Sequence, residues 1–445
     1  MDTIVVQNPS GHFDISGSVA LQGSKNAGLI NIALPLLTSD ECVFTNIPAI
    51  ADVEQALSFL RCIGADVRWD GQLLYITCDN IVPRMMDPQH AMETTHSSVF
   101  IPLLVSRFGE FVTGAPGGCP IGDRAFGQYV KTLSKMGVAC EPAKSGTLRF
   151  FSTEEFTNDI TLPFPSYSST ISAVLLAMTH GSMVIHNPSE EPEIDNVLQV
   201  LTSMGAHAQR AGSRIEVAPP DKFNGGRFRN MSDRNVAVTY AVMALITGSE
   251  LSITNFDDDK MDAFYQFLEI VGIAYHRQNQ VFKIPSQDVT RLRATQVDAY
   301  IYPSFHSDWQ PLVAPLLCLF NGTSRIEERL FPNRLGYWEQ LALMGAKYSE
   351  TVTQKSRFQD NFVHAVEISG PCAFHGANVK ALDLRGAAAL LEAALIARGT
   401  TCIHNAEILQ RGYANIIDDL QSLSVTIEKE ISPQFETVPK RSWKT

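Results

Sequence analysis

Two patterns of apolar and polar positions alternate along the chain. In the first, apolar residues recur at helical spacing on one face, stop at an apolar–glycine step, and continue into a β-like alternation. It reads DVEQALSFLRCIGADVRW from Asp52 to Trp69, then FGQYVKTLSKMGVACEP, DNVLQVLTSMGAHAQR, MDAFYQFLEIVGIAYHR and GYWEQLALMGAKYSE. A sixth copy, YANIIDDLQSLSVTIEKE, carries Ser424 where the others carry glycine. The glycines are Gly64, Gly137, Gly205, Gly272 and Gly345, separated by steps of 73, 68, 67 and 73 residues. A glycine just past a helix suits the left-handed stop position, which predicts a helix end at each.

The second pattern is a helix apolar on nearly every face, a polar-glycine turn and a short strand. STISAVLLAMTHGSMVIHNP, NVAVTYAVMALITGSELSITNF and GAAALLEAALIARGTTCIHNA are the clearest copies. NAGLINIALPLLTSDECVFTNIP belongs with them, and SSVFIPLLVSRFGEFVTG and WQPLVAPLLCLFNGTSRIEE are looser. All-round apolar helices belong at the centre of a helix cluster, with the amphipathic set outside. Six such units predict an α/β protein of two domains with three units each. The polar stretch FRNMSDR predicts a crossing between domains at Phe228–Arg234. The first ~20 residues are expected to pair with the C-terminal half, because a lone strand must find a sheet edge. The expected domains are therefore 1–22 with 232–445, and 23–231.

Composition narrows the class. The 445 residues are 45% hydrophobic and 18% charged, which excludes a disordered chain. A net charge of −12 argues against nucleic acid or an anionic membrane as partner, so an acidic ligand would need a local basic cluster. The eight cysteines form no CxxC or CxxH spacing, which argues against a zinc site or a disulfide framework and favours a reducing compartment. The first residues lack the pattern of a signal peptide, and no apolar run nears the ~18 residues of a spanning helix. A cytoplasmic location is expected.

Several residues at helix starts or unit junctions carry candidate chemistry. GSKNAG puts Lys25 and Asn26 ahead of the first apolar helix, where an anion would be favoured; a capping Ser24 and a surface lysine explain the motif equally well. GAPGGCPIGDR sets Cys119 on a Gly/Pro-rich loop near Arg124, either as an acidified thiol or as an incidental cysteine in a turn. Asp308, in PSFHSDWQP, is a helix cap or a base facing a cleft. FPNRLGYW carries Arg334, ALDLRG carries Asp383 and Arg385, and LQRGY carries Arg411. Arginines at three junctions, with Lys25 and Arg124 from the other half, suggest a shared polyanion site.

The Lys-Asn, PGGC-x-IG-x-R, D-x-Q, F-x-NR, DLR and RGY motifs together resemble the enolpyruvyl transferases over Val19–Glu428. The resemblance is nearest to the branch that acts on UDP-N-acetylglucosamine in bacterial peptidoglycan synthesis. It implies an inside-out α/β barrel of two domains, each with three βαβαββ units, closing around the substrates. It also implies transfer of the enolpyruvyl group of phosphoenolpyruvate to a sugar hydroxyl of a uridine nucleotide, with no cofactor and no metal. On this resemblance Lys25, Arg124 and Arg411 would hold the phosphate, and Arg334 and Arg385 the carboxylate. Cys119 would be the loop acid, Asp308 the base, and Asp383 a support of the reacting centre. Asn26, Arg124, Ala125, Phe126, Ser166, Tyr167, Ser168, Asp308 and Leu330 would meet the acceptor.

The sequence departs from the family at the acceptor end. Thr95 stands where the family has an arginine, Phe164 lies near the place of a lysine, and Ala125-Phe126-Gly127 replaces Pro-x-Asp. Two readings stay open: drift within the UDP-N-acetylglucosamine branch, or a relative in a nucleoside-antibiotic pathway using UMP or a similar nucleotide. Transfer to shikimate 3-phosphate is disfavoured by Cys119, and a non-catalytic nucleotide-sugar-binding regulator is a remote alternative.

Overall fold

The computed structural model describes residues 2–86, 97–114, 126–153, 156–257, 260–331, 333–355 and 362–430. Their buried apolar side chains form two clusters. One, here the N-terminal core, draws on residues between Leu29 and Phe228. The other, the C-terminal core, draws on Val236–Ile427 together with Ile4, Val6, Ile15, Val19 and Leu21. Strand pairing explains why the first residues join the distant half. Thr3–Asn8 lies antiparallel to Gly399–His404 and to Ile427–Glu430, and Gly17–Ala20 lies parallel to Leu251–Thr254.

The described strands make six sheets, of four, four, four, four, five and three strands. Each four-stranded sheet has three antiparallel strands and one parallel edge strand; Cys42–Thr45, for example, pairs antiparallel with Leu73–Thr77 and parallel with Gly226–Arg229. The helices with apolar residues all round are the buried ones. Every residue of Arg234–Thr247, Trp309–Leu317 and Leu384–Ala394 is buried. The first apolar run departs from a single long helix. It makes Lys25–Asn31 and then a separate 3-10 turn, Leu34–Leu37, with Pro35 in its first positions, where the missing N–H is harmless.

The five step glycines all take positive φ, from +82° at Gly272 to +109° at Gly345, and Ser424 takes +67°. A second set was not read from the sequence: Asn46, Asn187, Asn255 and Asn405, each directly after a strand, have φ between +53° and +61°. Asparagine tolerates this region better than other residues with a Cβ.

Two passages of chain meet between the cores. Gly23 and Ser232 form an antiparallel bridge, Ser24 donates its N–H to Met231 O at 2.7 Å, and Asp233 donates to Gln22 O at 3.1 Å. A Cβ on Gly23 would fall 1.6 Å from Asn46 O, so only glycine fits there. The helices Lys25–Asn31 and Arg234–Thr247 therefore start side by side, and Lys25 N–H donates to the Asp233 carboxylate at 3.0 Å. Among the described residues, no helix is long and apolar enough to cross a membrane.

Candidate active site

Lys25 opens its helix and is 9% exposed. Ser24 does cap this helix, accepting the Ala27 N–H at 3.3 Å, but Lys25 is not a surface side chain. Its Nζ lies 2.6 Å from Asp52 Oδ2, and the other oxygen of Asp52 accepts from Arg411 Nε at 2.9 Å. Asp52 is fully buried, so the two cations share one desolvated carboxylate. Arg411, at the end of the 3-10 turn Ala406–Arg411, comes from the far end of the sequence.

A second cluster forms around Asp308. This residue precedes the helix Trp309–Leu317, yet its side chain makes no capping bond. Its carboxylate instead accepts from Arg334 Nη2 at 2.5 Å and from Asn235 Nδ2 at 3.5 Å, and it forms an ion pair without hydrogen-bond geometry to Arg385 Nε at 3.5 Å. Burial alone would raise the Asp308 pKa; the Arg334 and Arg385 guanidinium groups reverse this and hold it far below the usual carboxylate range. Asp383 is a true cap, accepting the N–H groups of Arg385 and Gly386 at 3.0 Å each, which fixes the start of Leu384–Ala394. Gly386 suits this place, because a Cβ would lie 2.7 Å from Asp383 Oδ2, the partner of the capping Oδ1.

The two clusters adjoin. Arg385 Nη1 donates to Tyr413 Oη at 3.0 Å, and Tyr413 follows Arg411 by two residues. Arg334 and Arg385 are each 3% exposed, and the Nε–H of each has no hydrogen-bond acceptor among the described residues. Such buried donors are costly unless something accepts them. The arrangement thus presents four cations, each pair held by an aspartate, and the two guanidinium groups on Asp308 retain Nε–H donors suited to an anion.

The acceptor-end candidates are only partly brought together. Tyr167 Oη donates to Asn26 O at 3.2 Å. Burial pushes the Tyr167 phenol well up, and the nearby Glu193 and Glu191 push it further. Ser166 caps Tyr167–His180 through the Ser169 N–H, and Ser168 is half-buried in the first turn. Leu330 N–H, two residues beyond the strand Gly322–Glu328, donates to Glu328 Oε1 at 2.8 Å. Phe126 packs against the N-terminal core, 6.1 Å from the Tyr129 ring. Phe164 meets Tyr300 edge-on at 6.5 Å between ring centres. Cys119, Arg124, Ala125 and Thr95 lie outside the described residues.

Sequence reasoning missed four participants. Asp52 reads as an ordinary acidic first-turn residue of an amphipathic helix, and only its complete burial marks it. Asn235 is hidden at the start of an apolar run. Glu191 and His306 form a hydrogen bond at 3.1 Å between segments 115 residues apart, which no local pattern signals. A cavity of about 540 Å³ lies beside the Asp52 helix, bounded by Ile50, Val53, Trp69, Tyr413, Ile416 and Lys429, but Lys25, Asp308, Arg334 and Arg385 do not line it.

Comparisons with known proteins agree on one family. The family described as EPSP synthase (3-phosphoshikimate 1-carboxyvinyltransferase) matches residues 9–420. The chain is 33% identical over 421 residues to UDP-N-acetylglucosamine 1-carboxyvinyltransferase 1 of Carboxydothermus hydrogenoformans, covering 94% of this chain and 97% of that protein. It is 32% identical over 419 residues to UDP-N-acetylglucosamine 1-carboxyvinyltransferase 2 of Streptococcus mutans, covering 93% and 96%. In fold it is similar to the enolpyruvyl transferase NikO from Streptomyces tendae, with a TM-score of 0.83 at 22% identity, over 97% of this chain and 99% of that one. EPSP synthase from Acinetobacter baumannii gives 0.71 at 15% identity, over 97% and 100%. With its length covered almost end to end by these relatives, and with its basic residues gathered on Asp52 and Asp308, the chain belongs to the EPSP synthase family and is an enolpyruvyl (1-carboxyvinyl) transferase.

Proposed function

We propose that the chain transfers the enolpyruvyl group of phosphoenolpyruvate to a sugar hydroxyl of a uridine nucleotide, the 3-hydroxyl of UDP-N-acetylglucosamine, and releases phosphate. The observation that carries this reading is the meeting of Lys25 and Arg411 on Asp52, joined through Tyr413 to Arg334 and Arg385 on Asp308. A donor whose phosphate and carboxylate are both borne on one carbon needs two such basic groups side by side. Lys25, Arg411 and Arg124 take the phosphate; Arg334 and Arg385 take the carboxylate, bidentate contacts being what guanidinium offers.

In the addition step Asp308 removes the proton of the acceptor hydroxyl, whose oxygen bonds to C2 of phosphoenolpyruvate. The electron pair of the double bond takes a proton at C3, supplied by Cys119, and a tetrahedral ketal forms. In the elimination step C3 returns a proton to the Cys119 thiolate, the double bond re-forms, and the C2–O bond to phosphate breaks with its electron pair on the phosphate, which takes up the proton held by Asp308. Asp308 fits a base that acts only once loaded: while both arginines hold its carboxylate it is a poor proton acceptor, and a substrate carboxylate that draws them away frees it. Asp383 serves by fixing Arg385. Asn26, Tyr167 and the 164–168 segment line the acceptor side, with Phe126, Ala125, Ser166, Ser168 and Leu330 as further contacts.

The same reading takes the chain as two domains, 1–22 with 232–445 and 23–231, forming an inside-out barrel that closes on its substrates. The separate apolar cores and the paired passages at Gly23 and Ser232 support it. Phe164 packed on Tyr300, near the place where the resemblance implies a lysine, favours a second acceptor, a uridine nucleotide with fewer phosphates such as UMP. Phosphate release from phosphoenolpyruvate, measured with UDP-N-acetylglucosamine and with UMP, separates the two. Release with either nucleotide identifies the acceptor. Release with shikimate 3-phosphate alone overturns the uridine-nucleotide assignment.

A further inference from the structure

His306 ends the short strand Phe305–His306, two residues before Asp308. Its Nδ1 accepts the backbone N–H of Asp308 at 3.1 Å, and its Nε2 lies 3.1 Å from Glu191 Oε1. Glu191 stands at the N-cap position of Pro192–Ser203, a helix packed in the N-terminal core, whereas His306 adjoins the C-terminal core. The same Glu191 accepts from Arg234 Nη2 at 2.8 Å, and Arg234 also binds Glu193 at 2.9 Å. Arg234 in turn stacks over Tyr302 and Trp309, 5.3 and 5.6 Å from the ring centres. Trp309 Nε1 donates to Asn235 Oδ1 at 2.9 Å, and Asn235 reaches Asp308. Asp308 is thus gripped through its backbone by His306 and through its carboxylate by Asn235, Arg334 and Arg385.

A ring nitrogen that accepts an N–H carries no proton. The geometry therefore fixes the neutral Nε2–H tautomer, with that hydrogen directed at Glu191. An imidazolium would set its own Nδ1–H against the Asp308 N–H and break the bond. The groups facing His306 bear on this balance: Glu191 across the core boundary, Asp308 on its own segment, and Arg234 from the helix Arg234–Thr247. Burial disfavours the charged ring, Glu191 and then Asp308 favour it, Arg234 opposes it, and the net result is a proton affinity above that of an ordinary histidine.

We propose that His306 is a positioning residue for Asp308: its neutral form ties the base to Glu191 of the N-terminal core, and its protonation releases Asp308 and lowers turnover. The proposal rests on Asp308 acting as the base of the transfer. Two features make the tie useful. It links placement of the base to contact between the cores, and it needs one defined protonation state, so that turnover falls on the acid side of the His306 titration. Loss of the bond would let the Asp308 backbone shift, and misplacement of a reacting group by about 1 Å costs on the order of 10²-fold in rate.

The test is steady-state kinetics of the full chain with phosphoenolpyruvate and its uridine-nucleotide acceptor across the range in which histidine titrates. Wild type should show an acid limb in kcat. In His306→Gln, whose amide can accept from Asp308 and donate to Glu191 without titrating, kcat on the alkaline side should stay within about threefold of wild type, and this acid limb should vanish. Glu191→Gln removes the carboxylate that favours the imidazolium, and should move the limb to lower pH. His306→Ala should lower kcat about ten- to a hundredfold while changing KM for phosphoenolpyruvate no more than about twofold. An acid limb unchanged in His306→Gln, or in Glu191→Gln, overturns the proposal even if the alanine variant does not fold. Asp308→Asn is the separate control: full turnover in that variant removes the base assignment itself, independently of what His306 does.

Discussion

Replacing Glu392 by glutamine should make the protein more stable at neutral pH while leaving it nearly unchanged in mild acid. Glu392 lies in the third turn of Leu384–Ala394, seven residues after Arg385, and is fully buried. Neither carboxyl oxygen has a hydrogen-bond partner among the described residues. Burial alone pushes its pKa well above the ordinary glutamate value of 4.5. The folded protein therefore keeps a proton that the unfolded chain gives up. Between the unfolded and folded pKa values the folded state binds more protons, so stability is complete below the lower value and falls as pH rises. Each pH unit inside that window costs about 1.4 kcal/mol, and two units about 2.7 kcal/mol. Glutamine matches the protonated acid in size and polarity but has nothing to titrate. Urea unfolding midpoints for the two proteins should coincide near the unfolded carboxyl range and separate progressively above it, glutamine being the more stable. Parallel midpoint curves at every pH would show that Glu392 ionises freely in the folded state, and the burial argument would fail.

Three further outcomes follow from the site. Asp52→Asn leaves Lys25 and Arg411 without their common counter-charge; stability should drop by about 3–5 kcal/mol, and added inorganic phosphate should raise the melting temperature of the variant more than that of wild type. An equal phosphate response in both would put the anion elsewhere. Arg411→Ala should abolish turnover of phosphoenolpyruvate while the melting transition stays cooperative, and wild-type rates would remove Arg411 from the site. Cys119 should be alkylated by fosfomycin in the presence of acceptor, because an oxirane needs a thiol beside phosphate-binding cations; an unmodified intact mass would refute that placement.

What could be read from the sequence was whatever declares itself locally. The apolar helices announced themselves by having no polar face, and Arg234–Thr247 and Leu384–Ala394 are indeed buried throughout. Lys25, Arg334, Arg385 and Arg411 were visible because each stands at a junction between units. Two local ambiguities needed three dimensions: Asp308 occupies a capping position without capping, whereas Asp383 caps in fact. Asp52 escaped notice because its partners lie 27 and 359 residues away and an acidic first turn is common at helix starts. His306 escaped for the same reason, since its meaning depends on Glu191, brought near only by the packing of one core on the other. The stop after Asn31, by contrast, was written in Pro35 and could have been anticipated.

Gly23 is paired with Ser232, and Gln22 already accepts a hydrogen bond from Asp233. The intervening stretch therefore departs and returns at a single point, and a short linker from residue 22 to residue 233 would bridge no gap. On the proposed two-domain reading, cutting there would give two separately expressed polypeptides, each keeping one apolar cluster. One would hold Lys25 and Asp52, the other Asp308, Arg334, Arg385 and Arg411, so neither could work alone. Any turnover recovered on mixing them would then be a direct readout of how tightly the two pieces find each other.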